Sequence, residues 1–556
     1  MTILKHILIV CFSLLVGCNQ EPAQEEAHQL ENANNPWFEE VALDWGIDFQ
    51  YENGAKGNFH IAEVTGGAPA LLDYDNDGDL DLYIVQGNSL PPEVPLELGN
   101  VLYENVDGNF VDRSEGSGAN DKGYGIGVAT GDYDGDGDVD IYVTNIGKNA
   151  LLRNDGGGHF TNVAKEAGVE NDGFSACAAF GDLDGDGDLD LVVTQYLDLS
   201  RVTDRECFDA QSNRTYCNPT IYNAPVIDSL FINNGDGTFT DTTMQSGIGA
   251  VQGTGLGVII AELTNDEYPD IFIANDAMPD RLWVNQGDGT FVDEGMSRNI
   301  AMDDTGVAKA GMGVSIVDID QDGDSDVYVT NIYGESDSFY ENKGDYFQDI
   351  TRRRGLAAET RAYTRWGIVF EDFDNDGLID LFESAGGVIS GPIRYDESDP
   401  LAEPNLLFQQ QKDGRFVAVK PKGGTEKLLI ASSHGVAAGD IDGDGGVDLV
   451  IVNSNSPLTV LRNVVQNRGN WISLKVSNRN GADAIGATVV VQLDDGSLMY
   501  RQVRTSHGYA SAHDPRIHFG LGSHTVSLIN VRWLDGATAT IHNPELSKVH
   551  DIHYVE

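Results

Sequence analysis

Between residues 69 and 463 the chain alternates short apolar runs with acidic, glycine-rich turns, as in "GYGIGVATG", "DYDGDGDVD" and "IYVTN" over residues 123–145. Runs of about four to eight residues rich in Val, Ile, Tyr and Thr, bounded by Gly, Asn and Asp, predict β-strands. The acidic segment recurs as "DYDNDGDLD" from Asp73, "DYDGDGDVD" from Asp132, "DLDGDGDLD" from Asp182, "DIDQDGDSD" from Asp318, "DFDNDGLID" from Asp372 and "DIDGDGGVD" from Asp440. A degenerate copy, "ELTNDEYPD", starts at Glu262, and the seven copies are spaced by 59, 50, 80, 56, 54 and 68 residues. A second pattern alternates with the first: "LLRNDGGGHFTN", "LFINNGDGTFTD" and "LWVNQGDGTFVD" each place two short strands around an Asn/Asp/Gly turn, a hairpin signature.

One acidic loop and one hairpin give about four strands per unit, and no such unit buries both faces of its sheet alone. Stacking neighbours around an axis solves this, so the pattern predicts an all-β fold, a seven-bladed β-propeller over residues 36–465. A linear solenoid is the alternative, but solenoid repeats are usually far shorter. The ends predict closure. "WFEEVALDWGI" (Trp37 to Ile47) reads as the second half of a hairpin and "LTVLRN" (Leu458 to Asn463) as a first half, so the N-terminal strand is expected to complete the last blade. Residues 466–556, with "WISLKV", "ATVVVQL" and "RIHFGLG", predict a small β-sandwich docked on the propeller.

Composition adds charge to this frame. Lys and Arg number 34 against 89 Asp and Glu, a formal balance of −55, which argues against nucleic acid as a partner and makes divalent cations the natural counter-charge. The first 17 residues read as a signal peptide: Lys5 and His6, then an apolar run from Ile7 to Val16, too short to span a bilayer. Leu15-Val16-Gly17-Cys18 resembles the lipobox of bacterial lipoproteins, which implies acylation of Cys18 and a membrane anchor; an ordinary secretory signal is the alternative. Residues 18–35 are polar and acidic, as expected of a tether, and Asn19 after the cysteine implies sorting to the outer membrane. The expected localisation is therefore the bacterial envelope. In that compartment Cys207 and Cys217 are near enough to form a disulfide, while Cys177, in "GFSACAAFGD", reads as a buried thiol.

Calcium takes about six to eight oxygen ligands, and a nine-residue loop can supply most of them. Side chains at positions 1, 3, 5 and 9, a carbonyl at 7 and a turn glycine at 6 give the expected site. The residues are Asp73, Asp75, Asp77, Asp79 and Asp81; Asp132, Asp134, Asp136, Asp138 and Asp140; and Asp182, Asp184, Asp186, Asp188 and Asp190. They continue with Asp318, Asp320, Asp322, Asp324 and Asp326; Asp372, Asp374, Asp376 and Asp380; and Asp440, Asp442, Asp444 and Asp448, for up to about six Ca2+ ions. The Glu262 copy, with Thr264 and Glu267 in place of an Asp and the turn Gly, is expected to bind weakly or not at all. An EF-hand would need flanking helices and a Glu at position 12; five loops carry Ile84, Val143, Val193, Val329 or Ile451 there, and Glu383 in the sixth lies on a β-type run.

The alternating "NxGDGxF" and "GDxDxDGxxDLxV" segments resemble the FG-GAP (VCBS-type) repeats of integrin α-subunit propellers. "GNWISLKVSNRNGADAIGATVVV" (Gly469 to Val491), "RTSHGYASAHDPRIHFGLGS" (Arg504 to Ser523) and "VRWLDGATAT" (Val531 to Thr540) resemble an ASPIC and UnbV domain. Together the modules are similar to the bacterial cartilage acidic protein-like family. The resemblance implies calcium loops on one face and ligands on the opposite face.

Three function classes stay open. The leading one is an anchored, calcium-stabilised propeller that binds a protein or glycan; the others are an enzyme acting on a glycan or small molecule at a propeller face, and a structural adhesion component. No nucleophile elbow or HExxH motif is present, and the catalytic residues of an enzyme are unknown. His507, His513 and His518 fall close together, but their spacing does not put them on one strand face. Two segments depart from the repeat, residues 196–228 with the two cysteines and residues 386–405. A pocket lined by His434, Arg394, Tyr395 or insert residues would favour catalysis or small-molecule binding.

Overall fold

The computed structural model describes residues 35–90, 97–202, 205–208, 212–389 and 393–555. The signal peptide, Cys18 and nearly all of the tether lie outside the described residues.

The repeats form seven four-stranded antiparallel sheets in which successive strands pair. The third, for example, runs Asp172–Gly181, Asp190–Gln195, Ser229–Asn233 and Phe239–Asp241 from inside to outside. The acidic loop joins the first strand to the second, and the hairpin forms the third and fourth. The seventh sheet takes three strands from residues 433–463 and its fourth, Phe38–Glu40, from the chain's beginning; Phe38 lies opposite Asn463 and Glu40 opposite Leu461. The ring is thus closed by the strand the N-terminal half-hairpin predicts. Across the same seam the Gly435 amide donates to the Gly67 carbonyl, bringing the seventh and first sheets together.

Glycine permits this closeness at the axis. A Cβ on Gly257 would lie 2.5 Å from the Met312 carbonyl oxygen, and one on Gly313 only 2.1 Å from that of Trp366. Hydroxyls one strand further out stitch blade to blade: Thr144 donates to Ala176 O (2.7 Å), Thr194 to Leu256 O (2.8 Å) and Thr330 to Trp366 O (2.9 Å). Between the sheets the alternate Val, Ile, Leu and Phe positions are buried, so the core is a set of clusters around the ring.

Residues from Asn470 onward build a sandwich of a three-stranded and a four-stranded sheet around Ile472, Leu474, Val489, Val491, Phe519 and Ile529. From it the segment Thr505–His513 reaches into the propeller axis. Ala512 pairs with Ala70; Gly508 exchanges backbone bonds with Val314; Val128 donates to Ala510 O. Tyr509, fully buried, donates to Thr65 O (2.7 Å) and packs edge-on against Trp366 at 4.7 Å. The Ala510 amide meets Cys177 Sγ at 3.1 Å, which accounts for the buried thiol. The sandwich docks on the propeller as expected, and this finger fills the channel.

Candidate metal loops and the face they share

Most of the acidic loops fold around their first and last residues; Asp73 and Asp380 are the exceptions, accepting no bond from their own loops. At position 1, Asp182 Oδ1 accepts from the Gly185 amide (2.7 Å) and Oδ2 from that of Gly187 (3.1 Å); Asp132 does the same, Asp318 and Asp372 accept from positions 5 and 6, and Asp440 from position 6 alone. At position 9, Asp190 accepts from Leu183 of its loop (2.8 Å) and from Asn233 on the third strand (2.8 Å); Asp81, Asp140, Asp326 and Asp448 repeat this pair of bonds. Positions 4 and 6 take positive φ throughout, which explains Gly or Asn at the first in all but one loop (Gln321) and Gly at the second in all but one (Glu267).

This arrangement gathers oxygens. One carboxylate oxygen from each of Asp73, Asp75 and Asp81 lies within 4.8 Å of the others, and the same holds for Asp182, Asp184 and Asp190, for Asp318, Asp320 and Asp326, and for Asp372, Asp374 and Asp380. In the second loop the group is Asp132, Asp134 and Asp136. Asp73 Oδ1, Asp134 Oδ1, Asp380 Oδ2 and Asp440 Oδ1 are buried without a hydrogen-bond partner. Burial first, and neighbouring carboxylates second, push these acids up: Asp81, Asp190 and Asp326 to about 8, Asp132, Asp182, Asp318 and Asp440 to about 6. Such a cluster of hard oxygen donors suits a divalent cation. The third loop shows this most plainly, since among the described residues no Lys or Arg pairs with Asp182, Asp184 or Asp186.

Position 5 turns one oxygen back onto its own loop, though Asp136, which does the same, still joins its loop's group. Asp77, Asp186, Asp322, Asp376 and Asp444 turn onto the amide at position 7, bonding it at 2.9 to 3.0 Å. The side chains at position 7 (Asp79, Asp138, Asp188 and Asp324) stay outside these five groups. Glu383, at position 12 of the sixth loop, is fully buried and accepts from Tyr328 (2.6 Å), in accord with the case against an EF-hand.

The hairpin signal acts in the same site. The side-chain amide of Asn233 donates to Tyr133 O of the preceding loop (2.7 Å), and Asn154, Asn285, Asn342 and Asn463 reach back to Tyr74, Leu183, Leu263 and Phe373. The hairpin Asn thus locks loop to neighbouring loop in five blades; Asn105 bonds its own loop and Gln410 takes the position in the sixth blade. Sequence reasoning missed this role, although the fixed phase of the two signals carried it.

The sandwich covers the loop face. Lys475 meets Asp73 (3.2 Å), Asn480 Asp132 (3.2 Å), Arg532 Glu267 (2.9 Å), the Tyr500 amide Gln321 (3.1 Å), His518 Asn375 (2.7 Å) and Arg468 Asp444 (2.8 Å), so six of the seven loops are touched. His507 and His513 stack with ring centres 3.6 Å apart, brought together by the finger's turn although their spacing argued against it. His513 bonds Ala438 N and His507 O, and burial pushes it down to about 3, so these rings are neutral. His434 is enclosed as well, against Gly66 O and Trp366, while Arg394 is exposed and Tyr395 lies beside Tyr363; the structure does not join them in a pocket.

Both departures from the repeat connect second strands to third strands, which places them on the opposite face from the acidic loops. There Cys207 and Cys217 form a disulfide, Tyr216 donates to Glu63 (3.0 Å), and Asp399 lies near enough to Tyr216 to raise its phenol further.

A family model described as FG-GAP-like repeat matches residues 73–143, 132–193, 262–329 and 318–382, and one described as ASPIC and UnbV matches 477–556. Cartilage acidic protein 1 of Xenopus tropicalis is 30% identical over 318 residues, 54% of this chain and 45% of that protein. The Homo sapiens protein of the same name is 29% identical over 330 residues, 56% of this chain and 46% of that protein. The chain therefore spans about half the length of the curated relatives it matches. Among solved structures, an Agrocybe aegerita lectin described as recognising non-reducing terminal N-acetylglucosamine aligns over 70% of this chain and 86% of its own, at 18% identity and a TM-score of 0.37. BBS1N in complex with ARL6DN aligns over 78% and 99%, at 9% identity and a TM-score of 0.38.

Proposed function

For a chain that joins FG-GAP-like repeats to an ASPIC and UnbV domain, we propose a calcium-stabilised recognition propeller, exported and lipid-anchored through Cys18 in the bacterial outer membrane. Its protein or glycan ligand binds the face opposite the acidic loops. The observation that carries this reading is the position of the sandwich: it lies over the loop face, so ions there serve the scaffold, and the long inserts stand on the other side. Calcium would supply the positive charge that lets three or four carboxylates stay ionised at one point. The residues that would hold it are those at positions 1, 3 and 9, with Asp136 in the second loop. Rigid rings that present variable loops suit recognition, because the scaffold fixes the loops without ordering costs on binding.

The test is a glycan array and an envelope-protein binding screen on the chain from residue 36 onward, with and without the segment 199–224 replaced by a short Gly-Ser linker. A ligand bound only by the chain with the insert supports the reading. A ligand bound equally by both chains removes the insert from the recognition surface. The anchor is tested separately by globomycin-sensitive processing and by labelling with an alkyne fatty acid, which Cys18→Ala should abolish.

A further inference from the structure

A cleft of about 540 Å3 lies between the acidic-loop face and the four-stranded sheet of the sandwich. Its volume is that of a pocket for a small organic ligand. The mouth is polar and open, with exposed Thr488, Asn530 and Thr540. The floor holds Arg501 and Arg504, which lie beneath both domains yet keep accessible surface, and that surface faces the cleft.

These two guanidiniums are underused. Arg501 Nη1 donates to Tyr500 O (2.9 Å) and its plane lies over Phe519 at 5.4 Å; Arg504 Nη2 donates to Ile316 O (2.7 Å). A guanidinium carries five N–H donors, so most of those on Arg501 and Arg504 make no bond within the protein and are open to a ligand in the cleft. Among the described residues neither forms an ion pair, and they repel each other: burial first and Arg501 second push Arg504 down to about 10. The facing Glu371 does not reach them, and its Oε2 is buried without a partner. The space between two unpaired forks and an unpartnered carboxylate asks for a group that both accepts and donates. A carboxylate beside hydroxyls meets that demand, because the forks bind planar oxyanions in two-pronged fashion while the acids and threonines take hydroxyl hydrogens. A bare polyanion does not, since Asp318, Glu371 and Asp440 line the same cleft.

We propose that this cleft binds a small acidic saccharide, its carboxylate between Arg501 and Arg504 and its hydroxyls toward the polar mouth. The site lies on the other side of the ring from the insert and stands or falls without recognition there. Calorimetric titration of the full chain in excess calcium with galacturonate, galactose and sulfate tests it. Galacturonate is expected to bind and galactose not, and R504Q is expected to weaken galacturonate by at least about tenfold. Should R504Q fail to fold, as judged by its melting transition, T540W narrows the mouth without touching the floor and is expected to weaken binding to the same degree. No heat with galacturonate, equal binding by the variant that folds, or sulfate binding as tightly as galacturonate would each overturn the proposal, the last leaving an adventitious ion only.

Discussion

The third and fourth acidic loops share a backbone and differ in chemistry. Asp182 and Glu262 both accept amides from their own loops, and Asp190 and Asp270 both accept from the loop and from the third strand. Glu267 even takes φ 73 where Gly187 takes 97, and Asn265 takes 61 where Gly185 takes 79. What the fourth loop lacks is the carboxylate at position 3, where Thr264 stands, and at position 7, where Tyr268 stands; Asp266 keeps position 5. The loop shape is therefore built by positions 1 and 9 and by the two left-handed residues, and the oxygen cluster that could hold a metal is completed by the positions between. A blade needs the shape; it does not need the full set of carboxylates.

The strongest way to break that division is to remove all ions at once. Each site saturated about a hundredfold contributes about 2.7 kcal/mol. Chelation should then lower the melting midpoint by about 10 °C or more, and calcium should restore it where magnesium does not. An unchanged midpoint would show that the loops hold no stabilising cation.

A pH series on the chelated protein is expected to give the next largest effect. The buried aspartates have folded values of about 6 and 8 against an ordinary 3.8, so the folded chain holds more protons than the unfolded one. Their favourable contribution is complete below about pH 4 and is lost as pH rises through 6 and 8. The chelated midpoint should fall across that window, and saturating calcium should remove the slope. A chelated protein that gains stability from pH 5 to 8 contradicts the assignment.

Single substitutions sharpen the comparison further. D190A and D270A should each cost about 3 kcal/mol in chelator, because each leaves two buried amides unpaired, whereas D184N should cost stability only when calcium is present. A neutral D270A would mean that the degenerate loop does not need its last carboxylate. The smallest effect belongs to E267G, expected to stabilise the chain by about 1 kcal/mol through relief of the left-handed backbone, less whatever the exposed Arg532 ion pair contributes. Denaturant midpoints in chelator would measure both.

Much of this was legible beforehand. The phase of two short signals carried the blades, and "WFEEVALDWGI" against "LTVLRN" carried the closing strand, because an unpaired half-hairpin has no other partner. Spacing marks positions 1, 3, 5 and 9, but it does not show that each position-5 carboxylate spends one oxygen on the amide at position 7. The finger and the cleft were not legible. "TSHGYASAH" has neither strand alternation nor turn spacing of its own, and its structure comes from strands of several blades. Likewise Arg501 and Arg504 read as ordinary charges on a strand until the loop face closes over them.

The finger also sets an order of events as the chain emerges. The ring's walls, from Pro69 to Asn463, precede Thr505 in the chain, so in the proposed N-to-C export they emerge on the far side of the membrane before Tyr509. Until then the axis around Trp366 and Cys177 has no occupant, and the seven sheets have nothing to close upon. Docking of the finger joins residues hundreds of positions apart, such as Tyr509 with Thr65 and Ala510 with Cys177, a class of contact that forms slowly. A chain that stops before residue 505 would accordingly be a precursor with an open centre, a substrate for chaperones and proteases, and not a smaller version of the same protein.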